Sequence, residues 1–589
     1  MALPRHPEQV FHGTPVSRGI AFGPAHVVAR GFSAPDVYPI KPEAVPFEKS
    51  RFDAAVARTK TQLADLRERI DAVSSGDEGL VFEAHSMVLA DPSLLNKVNK
   101  AIETRLQNAE FSFYAIMQTF LEAMRRVSDP YLRERTIDIE DVCQRVLRNF
   151  QTDDDHAGPD HQHLLVTFDL TPSDTASMDR SKLLGFVTEA GSTNSHTAIL
   201  ARALGIPAIV GLGGAILETT TLAPAIIDGY SGKFIVYPSP ETTAYYETLA
   251  AKHKITREAL ESLRDQDSTT LDGRHITLSA NIEFTHELEL VRESRAEGVG
   301  LFRTEFFLLE GDKIPGEESQ LEVYRELAIG TRPHLAIIRT LDSGGDKLPA
   351  EPLTEPEPNP FLGWRGIRVS LDRPELFKKQ LRAILRASAD GNLGMMFPFI
   401  SGLTEVRKCR ELVRQCMDEL SASDIPFNPK IQIGAMIEIP SAALVAREIA
   451  REVDFLSIGT NDLIQYTVAV DRINHRVAGL YRSSHPSVIR LIKMTTAAAH
   501  ESKIWTGICG EMATDLKLTP LLVGLGVDEL SVGPRELAAV RKALLSLDFK
   551  ECQELAEQAL TLSTSQEIYD LSQAKAVEAY GDLLEDLEN

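Results

Sequence analysis

The residues best suited to chemistry fall in two separate stretches of this sequence. In the first, Gly191-Ser192-Thr193-Asn194-Ser195-His196-Thr197 follows the apolar run LLGFVTEA and precedes HTAILARALG, a helical pattern that stops at Gly205 before Ile206-Pro207. His196 is thereby predicted at or near a helix amino terminus, with Thr193, Asn194 or Ser195 as caps. The helix dipole there disfavours imidazolium and favours a bound anion. A neutral imidazole that can attack phosphorus, beside amides that can hold the product, is what a phosphohistidine needs. The plainer alternative is a surface or capping histidine.

In the second stretch, polar and charged residues close one short apolar run after another. Arg303-Thr304-Glu305 ends one run, and Arg339 and Thr340 with Asp342 end the next. Glu438 follows a later one, Asn461 and Asp462 another, and Cys509 with Glu511 another. Arg303 and Arg339, joined by Arg365 and Arg472, can grip a dense anion such as phosphate or carboxylate. Glu438 and Asp462 are hard oxygen donors, a pair suited to Mg²⁺ with water and substrate filling the other positions. Their alternative role is ion-pairing with those same arginines. Cys509 lies between Gly507-Ile508 and Gly510, where backbone can approach a ligand; an inert buried thiol is the ordinary reading.

The elements that must position these residues follow from the apolar pattern. From about residue 271 the runs HITLSANI, VGLFRTEF, LAIIRTLD, LGMMFPFI, IQIGAMIEIP, VDFLSIGTND, IWTGICGE and VDELSVG alternate with mostly helical patterns. Eight β/α units predict an α/β fold with a C-terminal TIM (β/α)8 barrel, whose chemistry belongs at the carboxyl ends of the strands. An open doubly wound sheet fits less well, because no glycine-rich dinucleotide turn follows a run. Residues 10–30 suit strands and tight turns. Residues 36–149 carry helical spacing, as at Phe52, Val56, Leu63, Leu66 and Ile70. After them a strand-and-helix texture returns up to Pro238. The expected organisation is a small α/β domain (1–35 and 150–238), a helical insert (36–149), a helical linker (239–265) and the barrel (266–589).

Composition excludes other classes. Lys plus Arg number 62 against 85 Asp plus Glu, a net charge of −23, which argues against a nucleic-acid partner while leaving room for a small basic cleft. The hydrophobic share of 43% and charged share of 25% are globular proportions. MALPRHPEQVFHG has no apolar h-region and no run reaches about 18 apolar residues, so a cytoplasmic protein without membrane insertion is expected. The five cysteines form no CxxC pair, which speaks against a disulfide framework or a zinc site.

Several of these motifs carry a family resemblance. GSTNSHTAILARALGIPAIVG resembles the phosphohistidine motif of the phosphoenolpyruvate-utilising enzymes. GLFRTEFFLL, RTLDSGGDK, NPFLGWRGIR, IEIPSAALVA, SIGTNDLIQYTVAVDR and GICGE resemble that family's barrel signatures, and the opening FHGTPVSRGIAFGPA is similar to its branch in the bacterial sugar phosphotransferase system. The resemblance implies that His196 is phosphorylated by phosphoenolpyruvate and swivels between sites. It implies that Arg303, Arg339 and Arg472 grip the substrate with Asn461 beside them, that Glu438 and Asp462 hold Mg²⁺, and that Cys509 protonates the enolate to pyruvate. It also implies that the insert docks the histidine phosphocarrier protein HPr and that the barrel forms a homodimer; the acidic and apolar mixture of Asp77, Glu78, Glu83, His85, Met87 and Val88 suits a basic-faced carrier and is where docking is expected. Many members carry Gly-Gly-Arg-Thr before Ser-His; this chain has Gly191-Ser192-Thr193-Asn194, so charge compensation is expected from elsewhere, such as helix amides. Related dikinases and synthases need a nucleotide-binding domain, for which residues 36–149 are too few. A nitrogen-regulatory form would need a sensory domain before FHGTPVSRG. A non-catalytic scaffold would not need His196, Cys509, Glu438 and Asp462.

Overall fold

A computed structural model of the chain describes residues 7–28, 35–71, 92–125, 161–168, 182–189, 206–213, 219–309, 314–344, 359–472 and 476–588, with scattered positions between these stretches. His196 and the turn before it lie outside the described residues, as do residues 72–91 of the helical insert. The chain divides into two compact units, Met1–Lys252 and His253–Glu588.

The first unit holds an eight-stranded sheet ordered β1-β8-β7-β3-β4-β5-β6-β2. Its strands are β1 (Gln9–His12), β2 (Thr14–Ser17), β3 (Ile20–Val28), β4 (His163–Thr167), β5 (Leu183–Thr188), β6 (Ala208–Val210), β7 (Pro224–Asp228) and β8 (Lys233–Val236). The long gap between β3 and β4 contains helices Val45–Asp71, Pro92–Arg105 and Ala109–Arg125, yet the two strands pair directly and in parallel, Ala25 opposite Leu164. The helices bury their own core of Phe52, Val56, Leu63, Ile102, Phe113 and Met117. A group of helices with a separate core can thus be inserted in the sheet's sequence without breaking its ladder. The helix Pro240–Ser262 follows β8 and buries Tyr246 and Leu249.

The second unit is a closed parallel barrel of strands β9 (Thr277–Ile282), β10 (Gly298–Phe302), β11 (Leu335–Arg339), β12 (Leu393–Phe397), β13 (Gln432–Ile437), β14 (Phe455–Ile458), β15 (Trp505–Ile508) and β16 (Glu529–Val532). Seven lie within the runs picked out by hydrophobicity, and β10 begins one residue ahead of its run, at Gly298. Alternation along the strands separates two cores. Leu278, Ala280, Val299 and Ala336 belong to the layer under the helices, whereas Leu301, Ile337, Met396, Met436 and Phe455 fill the lumen with Cys509. The helices Phe549–Thr561 and Ser565–Glu588 continue beyond the eighth β/α unit, and Cys552, Ala556 and Ala559 are buried there. All five cysteines are buried and unbridged.

Two buried charges in this unit make stability predictions. Arg541, 2% exposed, donates to the carbonyls of Arg264 and Arg295 at 2.8 and 2.7 Å, clipping the chain after the linker helix to the β9–β10 connection. Arg541→Met should lower unfolding stability by about 3 kcal/mol, because carbonyls lose charge-assisted donors in a dry site. Urea unfolding measures it, and a loss under about 1 kcal/mol would mean that water serves those carbonyls equally well. Glu529, at the start of β16, is pushed up to about 7, chiefly by burial and against a hydrogen bond from Ser279. A carboxyl whose folded pKa is raised binds more protons folded than unfolded, so stability falls as pH rises from about 4.5 to 7. Glu529→Gln should remove that part of the slope, giving a variant more stable than wild type above pH 7 and no more stable near pH 4. Parallel pH–stability curves would refute it.

Candidate active site

The predicted rim residues do come from the carboxyl ends of barrel strands. Arg303 follows β10, Arg339 ends β11, Glu438 follows β13, Asn461 and Asp462 open the helix Thr460–Val468 after β14, and Cys509 follows β15. Arg365 lies in the long connection after β11. It is brought back by a bridge between Gly344 and Arg365 and by Gly366, whose φ of 57° suits glycine and whose amide donates to the Ser343 carbonyl at 3.1 Å.

These residues build one continuous charge network on part of the rim. Arg339 pairs with Glu305 at 3.0 Å and with Asp342 at 2.9 Å. Arg365 pairs with Asp342 at 3.3 Å and with Asp462 at 2.9 Å, and donates to the Tyr466 hydroxyl at 3.1 Å. Asp342, which sequence reasoning placed on the rim without a role, is therefore the carboxylate that joins the two arginines. Burial alone would raise its pKa, but Arg339 and Arg365 hold it below the ordinary value. Burial likewise opposes the charge on Arg339, yet Glu305, Asp342 and Glu438 outweigh it and keep the guanidinium protonated.

Glu438 is 2% exposed. No arginine forms a salt bridge with it among the described residues. Its Oε1 accepts the Phe399 amide, and its pKa is pushed up to about 8, first by burial and then by Asp342 and Asp462. Phe399 holds that amide in place from a φ of 57°, a left-handed conformation costly for a bulky residue, while its ring lies 4.6 Å from the Arg365 guanidinium carbon.

The remaining predicted residues stand in smaller groups. Arg303 pairs with Glu283 at 2.6 Å. Asn461 and Glu511 exchange hydrogen bonds, Nδ2 to Oε1 and the Glu511 amide to Oδ1, each 3.0 Å, and Arg472 reaches Glu511 at 3.7 Å. The Cys509 thiol accepts from the Ser457 hydroxyl at 3.4 Å, and Asn281 donates to the Cys509 carbonyl at 3.1 Å. Burial raises the thiol's pKa; Ser457, Arg339 and Arg303 oppose and Glu438 adds to the rise. At neutral pH Cys509 is a protonated acid among cationic side chains. Ser457 was missed, although strand parity with Phe455 could have placed it in the lumen.

Among the described residues no three His, Cys, Asp or Glu side chains form a metal cage. Mg²⁺ does not require one, since it binds through one or two carboxylates and keeps water and substrate oxygens in the other positions. Asp462 lies near enough to add to the rise in the Glu438 pKa, after burial and Asp342, so the two carboxylates share one part of the rim. The donor set fits the ion.

Three family models match this chain: the N-terminal domain of PEP-utilising enzymes over residues 12–135, their mobile domain over 159–232, and their PEP-binding domain over 257–549. Relatives named phosphoenolpyruvate-protein phosphotransferase are 41% identical in Listeria innocua, covering 95% of this chain and 98% of the relative, and 39% identical in Bacillus subtilis, covering 88% and 92%. The chain belongs to the PEP-utilising enzyme family. The family's PEP-binding stretch spans every rim residue described above, and its mobile-domain stretch contains His196. Among the described residues no helix is long and apolar enough to cross a membrane.

Proposed function

We propose that this chain is a phosphoenolpyruvate-protein phosphotransferase, Enzyme I of a bacterial sugar phosphotransferase system. The observation that carries the reading is that the Arg339–Asp342–Arg365–Asp462 network, with Glu438 against it, lies in the stretch matched by the family's PEP-binding domain. Arg303, Arg339, Arg365 and Arg472 bind the phosphate and carboxylate of phosphoenolpyruvate, with Asn461 beside them. Glu438 and Asp462 hold Mg²⁺, which when bound neutralises charge on the transferring phosphoryl group. A neutral His196 ring nitrogen forms the N–P bond as the P–O bond to the enol oxygen breaks, leaving the electron pair on the enolate. Cys509 gives its thiol proton to the methylene carbon, yielding pyruvate, and water restores the thiol. The phosphoryl group then passes to a histidine of HPr, a new N–P bond forming as the one to His196 breaks and frees its ring nitrogen. Ser457 sets the thiol's direction for the protonation step.

Each transfer needs reacting atoms about 3 to 3.5 Å apart. His196 has to meet the rim in one step and the carrier on the helical insert in the next. We therefore infer at least two orientations of the α/β domain, hinged around residues 238–240 and the helix Pro240–Ser262. The barrel supplies the homodimer contact. Incubation with labelled phosphoenolpyruvate and Mg²⁺, followed by mapping of acid-labile label, tests the reading; label absent from the peptide containing His196 would defeat it. Reversal of Glu78 and Glu83 to Lys should slow transfer to HPr at low salt and leave self-phosphorylation unchanged. Equal transfer rates at every ionic strength would put the docking surface elsewhere.

A further inference from the structure

A cleft of about 760 Å³ opens at the amino ends of β13 and β14, the end of the barrel opposite the charged rim. Its walls come from the helix Leu403–Ala422, the turn before β13 and the turn before β14. In a chain of net charge −23 this cleft is an exception, since Arg407, Arg410, Arg414 and Lys430 all line it. Glu411, Glu452 and Asp454 line it as well, so four cations face three carboxylates. Glu452 holds Arg407 at 3.1 Å and Arg410 at 3.2 Å. Asp454 accepts the Ile433 amide at 2.8 Å, and Glu411 accepts the Gln415 amide at 3.4 Å. Arg414 and Lys430, both exposed, have no ion pair among the described residues.

Between these cations lie the apolar side chains of Met417, Pro429 and Ile433. Unpaired cations alone would attract any anion, but an apolar floor rewards a ligand with a flat, poorly hydrated body. A sugar phosphate has no such face. A nucleoside phosphate has one, with ring amino groups that Glu411 or Asp454 at the rim can accept. The volume lies in the range of ordinary small-molecule pockets. We propose that this cleft binds a nucleoside phosphate, with its phosphates on Arg414 and Lys430 and its base against Met417, Pro429 and Ile433, at a site separate from that for phosphoenolpyruvate.

Calorimetry on the full chain in chelator, with ATP, adenosine and inorganic phosphate as probes, tests this. ATP should bind in the micromolar range, with adenosine and phosphate each at least about tenfold weaker. The double variant Arg414→Ala, Lys430→Ala should weaken ATP by about 30-fold or more, as expected for losing two charge-assisted contacts. That variant should self-phosphorylate from phosphoenolpyruvate at the wild-type rate, which also shows that it is folded. No detectable ATP binding at millimolar concentration would overturn the proposal. ATP binding of equal strength in the double variant would place the nucleotide elsewhere, and phosphate as tight as ATP would make the cleft a general anion surface; either result also overturns it.

Discussion

Replacing His196 by alanine is expected to abolish phosphoenzyme formation, the largest effect of any single substitution in this chain. The expectation rests on chemistry that no other group replaces: an uncharged ring nitrogen that attacks phosphorus and survives as a phosphoramidate. Label from phosphoenolpyruvate should fall to background in the variant, and pyruvate release should stop with it, because the two products come from one bond cleavage. The barrel has its own core, so its thermal transition should be unchanged. In the wild type the label should be stable to base and lost in acid, since the bridging nitrogen is a good leaving group once protonated. An H196A protein that still takes up label would end the phosphohistidine reading. By the family resemblance Thr193 and Asn194 take the places of an arginine and a threonine, so introducing that pair is an informative companion. A faster transfer in the Asn194→Thr, Thr193→Arg protein would show that helix amides compensate the phosphoryl charge only partly.

The barrel was legible because its strands are buried on both faces. β12, β14 and β16 are buried at every position, so the sequence there reads as mostly apolar runs, broken only by Ser457 in β14 and by Glu529 and Ser531 in β16. The functional types at the run ends were legible for the same reason: a Glu438 or Cys509 that closes such a run has no solvation to explain it. Partner choice was not legible. That Asp342 joins Arg339 to Arg365 depends on the bridge between Gly344 and Arg365 and on the turn at Gly366, and no local spacing encodes a pairing between positions 23 apart in sequence. The left-handed Phe399 is hidden likewise, because a phenylalanine gives no sign of the positive φ that a glycine would announce. Arg541 sits in LAAVRKALL, an ordinary amphipathic helix in which a buried arginine looks like an exposed one until the carbonyls it serves are placed.

Glu438→Gln and Asp462→Asn should each nearly stop phosphoryl transfer, at a cost of several kcal/mol in transition-state stabilisation, while differing in stability. Glu438 is a buried carboxylate whose pKa is raised by burial and by two neighbouring carboxylates, so without metal its ionised form works against the fold. The amide of Gln keeps the shape and removes that repulsion. Glu438→Gln should therefore melt at or above the wild-type temperature in chelator at pH 8, and Mg²⁺ should raise wild type but not the variant. Asp462 instead neutralises Arg365 at 2.9 Å. Asp462→Asn withdraws a charge partner from a guanidinium that, among the described residues, then keeps Asp342 alone as its ion-pair partner, and should melt below wild type in chelator. Thermal unfolding with and without Mg²⁺, beside the labelling assay, reads both effects. Two variants that both lose stability, and a wild type that does not respond to Mg²⁺, would make the pair structural. Opposite shifts in chelator, with a shared loss of transfer and of the Mg²⁺ response, are what a metal site assembled from one strained and one arginine-paired carboxylate requires.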